Sequence, residues 1–142
     1  MSAIAIREIT TLDEMLKQHP LIQQLNPTMA ADKYAQLLRQ MLPNGYRMVG
    51  VFDAAVCVGL SGFWINTKLY SGKYLEIDNF IVDAAYRSQQ LGKRLADWLY
   101  NEAEKEGCQT IMLDAYTSNH GAHKFYFREG FHIKSYHFYK SL

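Results

Sequence analysis

One segment constrains this chain most: an apolar, β-rich run passes through a short loop into an amphipathic helix. The run covers residues 74–82, and the loop, residues 87–92, reads Arg-Ser-Gln-Gln-Leu-Gly. The apolar positions of the helix recur at helical spacing: Leu91, Leu95, Trp98, Leu99 and Ala103. The first N–H groups of a helix have no partner inside it, and the helix dipole adds positive charge there. The segment therefore predicts an anion site suited to a phosphorylated cofactor.

The bulk composition indicates an ordinary folded domain. A length of 142 residues fits one domain with one core, and 49% hydrophobic with 20% charged residues is typical of a globular protein. The formal net charge is only +1. Because nucleic-acid and anionic-membrane binding usually need a concentrated basic face, we expect neither partner.

Cysteine spacing predicts no metal site, and a cytoplasmic location is the default expectation. Cys57 and Cys108 have no cysteine or histidine partner at metal-binding spacing, so we expect no metal. Residues 4–9 read as a short strand and not as the apolar region of a secretory signal. No apolar run is long enough to span a bilayer.

The first half of the chain predicts one strand, two helices and a meander. A capping box at residues 11–14 starts the first helix, and Asn26 with Pro27 starts the second. Pro43-Asn44-Gly45 ends the second helix. Short connections then favour an antiparallel meander of three strands. The predicted strands are residues 3–9, 46–52, 56–66 and 74–82.

The second half predicts a crossover unit followed by a helix and a last strand. The helix over residues 90–106 ends at Gly107, and residues 110–115 form a buried strand. A helix over 119–128 and an alternating β region over 131–140 follow. The order β-α-α-β-β-β-α-β-α-β predicts a single α/β (α+β) domain over residues 1–142. Its sheet is mixed and mostly antiparallel, with helices on both faces.

A second motif adds to the anion loop. It comprises Asn119, Ala122, Phe125-Tyr126 and Gly130-Phe131. The two blocks, in this order, resemble the GNAT superfamily of acetyl-CoA-dependent N-acetyltransferases. The loop of that family reads Arg/Gln-x-x-Gly-x-Gly/Ala. Arg87 and Gly92 match it, and Gln90 stands where the family usually has glycine.

The resemblance implies acetyl-CoA as a co-substrate and assigns its binding residues. The amides of Ser88, Gln89, Gln90, Leu91, Gly92 and Lys93 would hold the pyrophosphate. The backbone of Phe80, Ile81 and Val82 would pair with the pantetheine arm as a strand edge pairs with an added strand. An N–H near Ile81 would stabilise the oxyanion, an effect worth about 3 kcal/mol. The Asn119 side chain would bond the pantetheine region.

The resemblance also implies roles for two catalytic residues. Tyr126 would protonate the departing thiolate of CoA. A neutral amine must attack, so a proton has to leave the ammonium group first. Asp78 is the candidate base, with Glu76 on the same strand face or a chain of waters as alternatives. Asp114 and Tyr116 are further candidates for binding a cationic substrate.

The chain is therefore expected to be an N-acetyltransferase that moves an acetyl group to a primary amine of a small molecule by direct attack. The acidic residues favour a cationic acceptor such as a polyamine or an aminoglycoside. Two alternatives stay open: a protein or peptide N-acetyltransferase, and a non-catalytic CoA-binding sensor or interaction module. The identity of the acceptor, the choice between monomer and homodimer, and the range of acyl groups are also open.

Overall fold

A computed structural model describes residues 3–142 of the chain. Five helices and five strands are assigned. The strands are β1 Ile4–Ile9, β2 Arg47–Asp53, β3 Val56–Lys68, β4 Gly72–Val82 and β5 Thr110–Leu113. The helices are α1 Leu12–Leu16, α2 His19–Leu25, α3 Ala31–Met41, α4 Leu91–Lys105 and α5 His120–Arg128. Short 3₁₀ turns cover Leu42–Asn44 and Ala84–Tyr86.

The chain divides into two compact units, one ending at Met112 and one comprising Leu113–Leu142. The first unit contains α1 to α4 and the sheet, apart from the last residue of β5. The second unit contains α5 and the C-terminal segment. None of the helices within residues 3–142 has the length and apolar character that crossing a membrane requires.

The strands follow one another across the sheet in the order β1-β2-β3-β4-β5. β1 to β4 form the predicted antiparallel meander. Next to β5, the N–H of Gln109 donates to the carbonyl of Lys73 at 2.7 Å. Because β4 begins at Gly72, a strand that starts beside Lys73 can extend along β4 only in the parallel direction. The sheet is therefore mixed, as predicted.

Helices cover both faces of this sheet. Phe63 and Trp64 are neighbours in β3, so their side chains point to opposite faces. Phe63 meets Trp98 of α4, with ring centroids 5.8 Å apart. Trp64 packs against the cluster that contains Met15, Ile22 and Leu38 from α1, α2 and α3. The predicted two-faced arrangement is therefore confirmed, with α4 on one face and α1–α3 on the other.

Two predicted helix boundaries are wrong. The first predicted helix is split into α1 and α2, because Pro20 can stand only in the first turn of a helix and so begins a new one. Asn26 does not start the next helix. Its N–H donates to the carbonyl of Ile22 at 2.8 Å and ends α2, whereas α3 begins at Ala31. The capping box is confirmed, since Thr11 Oγ1 accepts from the Glu14 N–H at 3.1 Å.

The predicted last strand is also wrong. No strand is assigned within residues 131–142, although their apolar side chains alternate. Alternation fixes which face each side chain takes, but a strand exists only where a neighbouring strand supplies hydrogen-bond partners. Within the unit Leu113–Leu142, no second strand is available to pair with this segment. The described order therefore ends at α5.

Candidate active site

A β-bulge interrupts β4 where the sequence predicts the reacting groups. Leu60 pairs with Ile81 and Gly62 pairs with Asp78, so β4 carries one residue more than β3 between these pairs. Asn79 lies in the bulge with φ 61°, the left-handed conformation that asparagine tolerates better than most residues. The extra residue shifts the alternation, and so Asp78 and Ile81 face the same side of the sheet, toward α1–α3.

The two residues at the bulge are held by two aromatic side chains. Trp64 Nε1–H donates to Asp78 Oδ2 at 2.9 Å, and Asn79 Nδ2 donates to Tyr46 Oη at 3.2 Å. The rings of Tyr46 and Trp64 contact each other, with centroids 5.2 Å apart. We call Tyr46, Trp64, Asp78 and Asn79 the bulge cluster. Burial raises the pKa of Tyr46, so its hydroxyl stays protonated.

A glycine makes room for the bulge cluster. A Cβ atom on Gly62 would clash with the hydroxyl oxygen of Tyr46. Any side chain there would therefore displace the tyrosine. The bulge cluster therefore requires glycine at this position of β3.

Past the bulge, one edge of β4 extends beyond β5. β4 has 11 residues and β5 has 4. Since β5 starts beside Lys73 and rises about 3.3 Å per residue, it ends close to Ile77. Among the strands of the described residues, none runs along that edge of β4 from Asp78 to Val82. Phe80, Ile81 and Val82 lie in this part of β4.

The connection from β4 to α4 is fixed by hydrogen bonds within the first unit. The Asp83 N–H donates to the carbonyl of Val58 at 2.8 Å, and Tyr86 Oη donates to Asp53 Oδ2 at 2.8 Å. Gln24 Oε1 accepts from the Ala84 N–H at 3.1 Å, which ties α2 to the same segment. The loop that follows therefore starts from an anchored position.

Two non-glycine residues of the predicted anion loop are left-handed, Ser88 with φ 69° and Gln90 with φ 63°. The first backbone bond of α4 runs from the Arg94 N–H to the carbonyl of Gln90, at 3.2 Å. The N–H groups of Leu91 and Gly92 precede that bond and have no acceptor within the helix. Gln90 makes no capping bond through its side chain. These donors fit a diphosphate, as does the lack of acidic residues in the first turn.

Lys93 and Gln89 differ in how they could contribute to anion binding. The Lys93 ammonium lies 2.8 Å from Asp97 Oδ1, one turn along α4, so its charge already has a partner. Gln89 is exposed between the two left-handed residues. The sequence predicts that the backbone amides of Gln89 and Lys93 bind the pyrophosphate. The ion pair of the Lys93 side chain does not involve its backbone amide, so this stays a prediction.

Two predicted site residues, Asn119 and Tyr126, belong to the unit Leu113–Leu142. Asn119 Oδ1 accepts from the Ala122 N–H at 3.1 Å, and so this side chain caps α5. The Tyr126 ring contacts Phe125 and Phe131, with centroids 5.2 and 5.5 Å apart. Burial raises the pKa of Tyr126, so its hydroxyl is protonated at neutral pH, the form that a general acid needs.

The secondary candidates have partners of their own. Glu76 stands opposite Trp64 in the register and shares its face with Asp78. Asp114 lies 3.4 Å from His137, and the carbonyl of Tyr116 lies 2.9 Å from a ring nitrogen of His123. Within residues 3–142, no group of three or more acidic, histidine or cysteine side chains is arranged to hold a metal ion.

Neither cysteine is activated as a nucleophile. Burial raises the pKa of Cys57 to about 11, and burial also raises the pKa of Cys108. Both side chains are therefore neutral thiols at physiological pH, and a thiolate is the reactive form. This state fits a reaction without a covalent acyl-enzyme.

A cavity of about 200 Å³ lies away from the predicted site. It is lined by residues near the end of α4 and the start of β5, among them Tyr100, Glu104, Cys108 and Gln109. The anion loop is at the other end of α4, a helix about 22 Å long by its 15 residues. The cavity therefore belongs to a different part of the molecule.

Sequence reasoning missed three members of the bulge cluster: Tyr46, Trp64 and Asn79. Asparagine in the middle of a strand run was the available signal for Asn79, because it tolerates left-handed backbone and disfavours regular strand. Gly62 was the signal that a bulky group lies over β3. Nothing local in the sequence links Tyr46 or Trp64 to β4.

Over residues 10–131, the sequence matches the acetyltransferase (GNAT) family. The chain therefore belongs to the GNAT family of acetyl-CoA-dependent acetyltransferases, and the resemblance seen in the sequence is confirmed.

Two curated relatives are named as N-acetyltransferases. The aminoalkylphosphonate N-acetyltransferase of Salmonella typhimurium (strain LT2) is 29% identical over 101 residues, covering 70% of this chain and 65% of the relative. The glucosamine 6-phosphate N-acetyltransferase of Arabidopsis thaliana is 33% identical over 48 residues, covering 34% of this chain and 32% of the relative. The matched parts thus span less than two thirds of either relative.

Solved structures support the fold. An aminoglycoside N-acetyltransferase in complex with CoA is similar with a TM-score of 0.86 and 18% identity, covering 99% of this chain and 96% of that chain. At this level of identity the similarity extends to the fold alone. For this chain, that fold is the predicted mixed sheet with helices on both faces.

Proposed function

We propose that this chain, as a single domain over residues 1–142, transfers the acetyl group of acetyl-CoA to a primary amine of a small molecule. The chain belongs to a family of acetyltransferases, and one observation carries the proposal. The edge of β4 past the bulge leads directly along the chain into the anion loop at the start of α4. An extended edge suits the amide-bearing pantetheine arm, and unsatisfied N–H groups suit the pyrophosphate.

The co-substrate would be held mainly by backbone groups. Ser88 to Lys93 would surround the pyrophosphate, with the amides of Leu91 and Gly92 donating to it. Phe80, Ile81 and Val82 would pair with the pantetheine arm along β4. The Asn119 Nδ2 group would bond the same arm, since its Oδ1 atom already caps α5. Backbone donors of this kind recognise the common part of any acyl-CoA.

The reaction would proceed by direct attack. The amine nitrogen bonds to the carbonyl carbon of the thioester, and the bond from that carbon to sulfur breaks. Asp78 takes one proton from the acceptor's ammonium group and later releases it to water, and Tyr126 gives its proton to the departing sulfur. The second proton, which the nitrogen loses as the amide forms, returns to the Tyr126 oxygen. An N–H group near Ile81 stabilises the oxyanion. The neutral thiols of both cysteines support direct attack without a covalent acyl-enzyme.

Small amines are the best-supported acceptors. The two curated relatives are named for an aminoalkylphosphonate and an amino-sugar phosphate, both of which are small molecules with a primary amine. The half-buried carboxylate of Asp78 provides negative charge for an ammonium group. A compound that carries both an ammonium group and other charged groups is therefore the first acceptor class to examine.

The test measures release of CoA from acetyl-CoA with a panel of amines. The panel contains 2-aminoethylphosphonate, glucosamine 6-phosphate, spermidine, an aminoglycoside and a peptide with a free N-terminus. We expect turnover with at least one of the small amines. In Tyr126→Phe, kcat should fall by about 10² or more while acetyl-CoA binding in calorimetry is retained, because only the proton donor is removed.

Tyr136→Phe is the matched control, since Tyr136 is an exposed tyrosine of the same unit. It should retain the full rate. Acetyl-CoA binding without turnover on any amine would contradict the enzymatic proposal and favour the sensor alternative. Turnover with the peptide alone would contradict a small-molecule acceptor and favour the alternative of a peptide N-acetyltransferase. An unchanged rate in Tyr126→Phe would remove Tyr126 from the mechanism.

A further inference from the structure

We propose that Trp64 is a positioning residue that aims the Asp78 carboxylate at the ammonium group of the acceptor. This inference rests on the proposed function and adds a residue that acts through Asp78. Its basis is the bulge cluster, in which an indole N–H from β3 holds one carboxylate oxygen of β4.

The geometry separates the two oxygens of Asp78. Oδ2 accepts from Trp64 Nε1–H at 2.9 Å, within the range of a good charge-assisted hydrogen bond. Oδ1 has no hydrogen-bond partner in the part of the chain that the structure describes. Among the described residues, no buried polar side-chain atom lacks a partner, and so Oδ1 must be accessible to solvent. One oxygen is therefore fixed and the other is available to a ligand.

The register explains why Trp64 can do this. Trp64 stands opposite Glu76 and Gly62 stands opposite Asp78, which makes Trp64 and Asp78 diagonal neighbours on one face. A diagonal pair is about 7 Å apart, within reach of a tryptophan side chain. Gly62 has no side chain to come between them, and the Tyr46 ring supports the indole at 5.2 Å.

The consequence for catalysis follows from the freedom of an aspartate side chain. Without a partner, its carboxylate samples several rotamers, and only some would point Oδ1 at the acceptor. A single fixed rotamer removes that loss and keeps the proton acceptor in reach of the amine. Trp64 thus acts on the acceptor half of the reaction and leaves the binding of acetyl-CoA unaffected.

The experiment compares Trp64→Phe with Trp98→Phe, the same change at the only other tryptophan of the chain. The acceptor is 2-aminoethylphosphonate, or the amine of the panel with the higher rate. We expect kcat/KM for the acceptor to fall about 10-fold or more in Trp64→Phe, as for loss of a hydrogen bond to a charged group. Acetyl-CoA binding in calorimetry should be unchanged in both variants.

A double-mutant comparison separates positioning from packing. If Trp64 acts through Asp78, then Trp64→Phe should have no further effect on kcat/KM in an Asp78→Asn background. Equal additional losses in both backgrounds would mean a packing role and overturn the proposal, as would equal rates for Trp64→Phe and Trp98→Phe. By contrast, absence of turnover by the unmodified chain with every amine would contradict the proposed function itself.

A second measurement does not depend on the folding of Trp64→Phe. In Trp98→Phe, the remaining tryptophan fluorescence comes from Trp64 alone. Adding the acceptor should shift this emission, because an ammonium group at Oδ1 places a positive charge on the carboxylate that the indole N–H contacts through Oδ2. The shift should vanish when Asp78→Asn is added. The proposal would be overturned if the acceptor did not change the emission of Trp98→Phe, or if the emission changed equally with and without Asp78→Asn.

Discussion

The two halves of β4 are built in opposite ways. From Gly72 to Ile77, every residue keeps an unbroken antiparallel register with β3, and Leu75 and Ile77 are buried. From Asp78 to Val82 the register breaks, Asn79 is left-handed, and polar side chains are held by aromatic ones. One strand thus contains a stretch of regular core and a stretch of irregular, half-buried polar structure.

The difference shows how a strand can supply both stability and a site. Regular pairing satisfies every backbone group and buries alternate side chains, but it leaves little for a ligand. A bulge turns backbone groups and a carboxylate away from the regular ladder, and a left-handed non-glycine residue costs on the order of 1 kcal/mol or more. The bonds of the bulge cluster offset that cost here.

The largest expected effect tests whether the two halves have separate roles. Leu75→Ala removes a fully buried side chain from the regular half and should lower the free energy of unfolding by about 3 kcal/mol. Asp78→Asn, in the irregular half, should leave that free energy within about 1 kcal/mol and lower kcat by about 10² or more. Urea unfolding and CoA release measure the two quantities.

Folded Leu75→Ala protein should retain its rate at a temperature well below its unfolding transition. A comparable loss of rate in this variant would mean that the regular half also shapes the site. A stability loss in Asp78→Asn as large as that of Leu75→Ala would mean that the carboxylate is mainly structural. Either outcome would remove the contrast between the halves.

The second prediction concerns the left-handed residue itself. Asn79→Ala should lower the free energy of unfolding by about 2 kcal/mol, because it loses the bond to Tyr46 and keeps an unfavourable φ. Asn79→Gly loses the same bond but relieves the φ, and so it should cost about 1 kcal/mol less than Asn79→Ala. Thermal or urea unfolding of the pair measures this difference. Equal values would mean that the backbone at residue 79 is not strained.

The sequence predicts the regular half well. Alternation and short turns place β2, β3 and β4 within a few residues of their observed bounds, and helix periodicity with Gly107 gives α4. The predictions that were wrong all depend on which other residues supply the hydrogen-bond partners. Asn26 and Pro27 look like a helix start, but Asn26 ends the helix before it. The alternation of residues 131–140 does not produce a strand, because a strand depends on a neighbour that sequence spacing does not reveal.

The irregular half could be predicted only by resemblance. The family pattern draws attention to Asp78 and Ile81, but nothing in it places an extra residue between their partners in β3. The aromatic groups come from β2 and β3, far from Asp78 in sequence. Contacts of this kind follow from register, and a shift of one residue would send every side chain to the opposite face. Sequence spacing alone therefore does not predict these contacts.

The smallest expected effect tests whether all left-handed residues of the site are compensated alike. Gln90 has φ 63° and no side-chain capping bond, whereas the strain at Asn79 is offset by Tyr46. Gln90→Gly should therefore raise the free energy of unfolding by about 1 kcal/mol, and it should tighten CoA binding in calorimetry because the backbone can approach the diphosphate more closely. Ala54→Gly is the matched control, since Ala54 has φ 53° in the turn between β2 and β3. It should give a similar gain in stability with no change in CoA binding. A loss of stability in Gln90→Gly would mean that the glutamine side chain, like that of Asn79, stabilises its own left-handed backbone.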